Sequence, residues 1–79
     1  GAVREFYRNV RGFMSGLIEQ GVKSGVFHEK VDPQVASVAA VSMWVGLYLQ
    51  CASDPAQFDL RDVARKLITN FLEGLRRKA

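Results

Sequence analysis

The chain holds one cysteine, one histidine and two prolines among its 79 residues. Each scarcity closes a route to stability or function. Cys51 has no partner for an internal disulfide, so the chain is not a disulfide scaffold and suits reducing, cytoplasmic conditions. One histidine with one cysteine cannot complete a structural zinc site, and neither a metal-ligand cluster nor a phosphate-cradling glycine loop is present, so no metal or cofactor is implied. Nucleophilic catalysis needs a base beside the nucleophile and a third group to orient it. Cys51 and His28 stand on different elements with nothing joining them, so no catalytic residue is nominated and the chain does not read as an enzyme. Cys51 among apolar neighbours reads as a small core residue, and His28 as a solvated loop residue. An initiator methionine is also lacking, and Gly1 opens directly into amphipathic sequence, so residues 1–79 read as part of something longer.

Charge is modest, at +3 net. Arg76, Arg77 and Lys78 close the chain, where cations complement the negative end of a helix dipole. No aromatics interleave with them, as a nucleic-acid surface would require. A domain this short buries only about 60–65% of the surface its unfolded chain exposes, so its stability is expected to come partly from a partner chain.

What the sequence does contain is helical periodicity. Residues 3–23 place Val3, Phe6, Tyr7, Val10, Phe13, Met14, Leu17, Ile18 and Val22 at the i, i+3, i+4 spacing of an amphipathic helix, with Arg4, Arg8, Arg11, Ser15 and Glu19 opposite. Glu5 with Arg8 and Glu19 with Lys23 are candidate ion pairs, and Gly25 suits a left-handed helix terminus. Gly12 and Gly16 lie off the apolar stripe, where either a closely approaching neighbour or two tolerated defects on a wet face would explain them. Asp32 and Pro33 form a cap and first turn for a second helix. No charge then appears from Pro33 to Ser53, and apolar residues run nearly all round the helix. That stretch is long enough to span a membrane, but Gln34, Ser37, Ser42, Gly46, Gln50 and Ser53 dilute it and no basic flank anchors it, so burial in protein is the better reading and no membrane partner is expected. The third segment, Leu60 to Arg77, carries Leu60, Val63, Ala64, Leu67, Ile68, Phe71, Leu72 and Leu75 on one stripe, with Asp59 as cap and Phe58 placed to staple against Val63.

Three helices joined by short loops cannot surround the middle one, and the apolar surface left open exceeds what monomers carry. The chain is therefore expected to self-associate, to lack a neighbouring part, or both. On the middle helix Ala39, Ser42, Gly46, Gln50 and Ser53 share a small-residue side suited to close packing across a two-fold seam. Another side is bulky, with Ala40, Met43, Trp44, Leu47 and Cys51. Together with Phe6, Phe13, Met14 and Leu17 it could line an apolar cavity between helices, although a stripe of this kind is more often plain core. Trp44 and Tyr48 each add a polar handle that needs a partner.

The order of these features resembles the C-terminal regulatory domain of TetR-type bacterial transcriptional repressors. A helix ends with Glu19, Gly21, Gly25 and Phe27; a short link leads to Asp32, Pro33 and Ala36; Gly46 and Leu47 follow on that helix, and Phe71–Leu75 reads FLEGL. His28 departs from the basic residue that often follows the phenylalanine. The resemblance implies an all-α ligand-binding and dimerisation domain over residues 1–79. Its last two helices would form a four-helix bundle with a second copy, through Ala39, Ser42, Gly46, Leu67 and Phe71. It further implies a small hydrophobic effector, placed by the side-chain pattern against Phe6, Phe13, Met14, Leu17, Met43, Trp44, Leu47 and Tyr48. The effector would shift two N-terminal DNA-binding heads, so that operator DNA is touched only through a helix-turn-helix outside these residues. The alternative is a constitutive helical dimerisation module with no ligand.

Overall fold

Each helix begins or ends on a residue whose chemistry sets the boundary. In the computed structural model, which describes residues 1–76, the elements are α1 (Ala2–Lys23), α2 (Pro33–Ser53) and α3 (Leu60–Leu75). Past the end of α1, Gly25 takes φ 81°, a conformation that a Cβ disfavours, and its N–H donates to the Val22 carbonyl at 3.1 Å. Asp32 stays extended and its Oδ1 accepts from the N–H groups of Gln34 (2.9 Å) and Val35 (3.3 Å), while Pro33 occupies the first turn where no donor is missed. Asp59 caps α3 in the same way, accepting from the Asp62 N–H at 3.3 Å. Hydrogen bonds from Lys66 and then Arg65 hold the Asp62 carboxyl below its ordinary range.

Several expectations need correction. α3 ends at Leu75 rather than Arg77, because Arg76 turns extended (ψ 139°) and its guanidinium pairs with Glu73 at 3.3 Å. Arg77 and Lys78 lie outside the described residues. Glu19 and Lys23 pair at 3.0 Å, whereas no Glu5–Arg8 pair forms among the described residues. Ser15, expected on the wet side of α1, is buried with Ile18. The reason is that α2 approaches α1 over the small edge of its stripe, where Ser15 sits, and not over the bulky edge that carries Phe6 and Phe13.

That approach defines the core. α1 lies along α2, and Ser15 and Ile18 meet a side of α2 that buries Ala36, Ser37, Ala40 and Leu47. Ser37 is 0% exposed. Its hydroxyl donates to the Gln34 carbonyl at 2.7 Å, and that of Ser15 donates to the Gly12 carbonyl at 3.1 Å. Each helix therefore satisfies its own buried hydroxyl, and the seam is closed by small side chains. α2 is long and apolar enough to cross a membrane, yet this side of it is packed on α1.

α3 is held far more loosely. It touches α2 sparingly, and none of its residues is buried. The Cα trace fills 40 × 36 × 14 Å, so the three helices form a plate about one helix thick. Domains ordinarily bury their apolar faces between two packed layers.

The joint between α1 and α2 supplies the other hold on α3. The Phe27 N–H turns back to the Gly21 carbonyl at 3.0 Å, the His28 N–H donates to the Leu75 carbonyl at 2.8 Å, and Phe27 and Arg76 pair as an antiparallel bridge. Phe27 and Val31 tuck in as half-buried residues, but Val26, expected beneath the turn, is 58% exposed. His28 is half-buried rather than solvated, with Nδ1 accepting from the Lys30 N–H at 3.0 Å.

Two substitutions check this account. Asp32→Ala removes the cap of α2 and is expected to lower unfolding stability by about 1 kcal/mol in urea titration. Ser37→Leu places a large side chain in the closed seam and should lower it by roughly 1–3 kcal/mol; an unchanged midpoint would mean that α1 and α2 do not pack through Ser37.

Candidate ligand cavity and apolar face

A cavity of about 380 Å³ opens where all three helices converge. Val10, Met14 and Leu17 line it from α1, Met43 and Trp44 from α2, Ile68, Phe71 and Leu72 from α3, and Phe27 from the joint. Its volume lies within the ~300–1,000 Å³ range of small-molecule sites. Among the described residues no charged side chain lines it, and the indole N–H of Trp44 is the one side-chain hydrogen-bond donor in its wall. Such walls solvate an uncharged apolar ligand and would leave a charged group without a partner.

On the other side of Trp44 lies a more open groove of about 500 Å³, lined by Tyr7, Val45, Leu47, Tyr48, Leu49 and Leu60. The expected ligand residues thus divide. Met14, Leu17, Met43 and Trp44 meet in the cavity, and Leu47 and Tyr48 face the neighbouring groove with Trp44 between them. Phe6 and Phe13 line neither; they are 62% and 68% exposed on the outer edge of α1, because the helix turns its small edge to α2. Phe71, expected in a dimer seam, also lines this cavity.

Sequence reasoning missed Phe27 and Ile68 as cavity residues. Ile68 stands in the α3 stripe, but nothing local says that this stripe meets α1 across a cavity. For Phe27 a signal existed: a large aromatic shortly after a positive-φ glycine, six residues beyond Gly21, whose missing Cβ leaves room for the ring. A Cβ at Gly21 would fall 2.5 Å from Phe27 Cε2.

The remaining expected interface positions lie on an open face. Ala39 and Ser42 are exposed, Gly46 and Leu67 half-buried, and Val35, Val38 and Leu49 extend the α2 face with exposures above 50%. A Cβ added at Gly46, Gly12 or Gly16 would meet nothing within 4 Å, so no close neighbour of Gly12 or Gly16 is found among the described residues.

Residues 1–77 match the family described as BetI-type transcriptional repressor, C-terminal. The chain belongs to this family of C-terminal domains of TetR-type transcriptional regulators, and its three helices, with no strand among the described residues, agree with that assignment. No curated protein and no solved structure matches the chain.

Proposed function

We propose that this domain senses an uncharged hydrophobic effector and dimerises, as the C-terminal part of a cytoplasmic transcriptional repressor. In this reading two copies cover the open faces of α2 and α3 as a four-helix bundle. Ala39, Ser42 and Gly46 lie at the close approach, and Leu67 and Phe71 contribute from α3. An effector entering beside Met14, Met43 and Trp44 would shift the spacing of DNA-binding heads carried upstream, and operator DNA is met only through them.

The observation that carries the proposal is surface area. A folded monomer of this length exposes about 4,800 Å², whereas this chain exposes 6167 Å². The excess, about 1,400 Å², exceeds the ~800 Å² per partner of a standard interface and falls in the range of obligate dimers. The open surface carries large apolar side chains on both sides of the plate, among them Val35, Val38 and Leu49 on α2 and Ile68 and Leu72 on α3.

In sedimentation velocity at micromolar concentration the chain should run as a dimer; a folded monomer contradicts the proposal. Gly46→Leu meets no obstacle at its Cβ among the described residues of one chain. Any weakening of the dimer, expected at roughly 1–3 kcal/mol, therefore reports on contact with the second copy. For the effector, uncharged hydrophobic compounds should raise Tm in a concentration-dependent way. Met14→Asp, which sets an unpaired carboxylate in the cavity wall, should abolish the shift. A panel that leaves Tm unchanged would favour the constitutive dimerisation module.

A further inference from the structure

We infer that Phe27 is a positioning residue that couples occupancy of the cavity to the seating of the C-terminal end of α3. The inference rests on the reading that the cavity takes a hydrophobic ligand, and it adds the route by which the ligand would be felt elsewhere. Two halves of one residue carry it. The Phe27 ring is part of the cavity wall and lies over Gly21, in the space a Cβ there would occupy. Its own N–H is committed to Gly21, and the antiparallel bridge that sets it opposite Arg76 is held by the next peptide, through His28.

The adjacent His28 N–H, 2.8 Å from the Leu75 carbonyl, satisfies one of the carbonyls that the last turn of a helix leaves without an internal partner. Among the described residues α3 has little else to fix this end, since it buries no residue and lies in scant contact with α2. The turn that presents Phe27 is itself constrained, by the positive φ of Gly25 before it and the Asp32 cap after it. A ligand that packs against the ring therefore steadies the peptide that holds α3, and an empty cavity leaves the ring free to move and the clasp weaker. Because α3 carries Leu67 and Phe71, the clasp also bears on any partner docked there.

Amide hydrogen exchange of the full 79-residue chain tests this, with neutral N-phenyl-1-naphthylamine as probe and energy transfer from Trp44, the single tryptophan, reporting its arrival. With the probe bound, the His28 amide should exchange at least about threefold more slowly, while the Gln34 amide, bonded to Asp32 in the same joint, is unchanged. If transfer is seen but the two amides respond alike, or His28 does not respond, the coupling is wrong and the ligand reading survives. If no transfer is seen, the ligand reading fails and the coupling falls with it. A probe-free arm uses Gly21→Ala, which must displace the ring. His28 exchange should rise at least about tenfold with Gln34 unchanged and helix content retained by circular dichroism. Phe27→Leu, which removes the ring without adding a clash, should move His28 in the same direction. Equal changes at both amides in either variant overturn the inference.

Discussion

The close approach of α1 to α2 through small side chains is the contact on which the remaining structure depends. Ser37 has no exposed surface and Ser15 almost none, yet neither hydroxyl is unsatisfied, because each bonds back to a carbonyl of its own helix. With Ala36 and Ala40 beside them, the helices come together over an edge that offers little apolar volume. Bulky side chains are displaced outward as a result. Phe6 and Phe13 go to the rim of α1, while Met14, Leu17, Met43 and Trp44 are left facing a space that α3 only partly closes. The cavity and the open faces are consequences of where the tight seam lies.

A plate about one helix thick has two wet sides, and two amphipathic helices with a third that is apolar nearly all round leave apolar surface on both. Among the described residues the buried apolar side chains are Ile18, Ala36, Ala40 and Leu47, a small core for a chain of this length. A few kilocalories per mole separate folded from unfolded in most small domains, and a core this small leaves little margin. A second copy laid on α2 and α3 would supply the missing layer. The same arrangement would give the proposed sensing a physical basis, because α3 touches both the cavity, through Ile68, Phe71 and Leu72, and the joint, through Leu75 and Arg76.

Helix boundaries were legible because they are written locally. Asp32, Pro33, Asp59 and Gly25 each act within a few residues of themselves, and the structure places each as its chemistry requires. The α1 stripe was legible as a stripe, but its edge against α2 was not: Ser15 and Phe13 stand at opposite borders of it, and periodicity cannot choose between a small border and a bulky one. The end of α3 was misjudged for a related reason. Arg76 and Arg77 are good helix formers, and what stops the helix at Leu75 is a strand-like pairing with Phe27, a residue 49 positions earlier in the chain. Phe27 itself was legible as part of a family pattern and illegible as a cavity wall, since that role exists only once α3 is in place. The family match over residues 1–77 agrees with the resemblance that the order of these local signals carries.

The central claim is that the fold is completed by a second copy, so that folding and association are one equilibrium. The most direct measurement is the urea midpoint of the chain across a hundredfold range of protein concentration. The account predicts a midpoint that rises steadily with concentration, as mass action requires when the dimer is the folded species. A midpoint independent of concentration, with helix content unchanged on dilution, would contradict it.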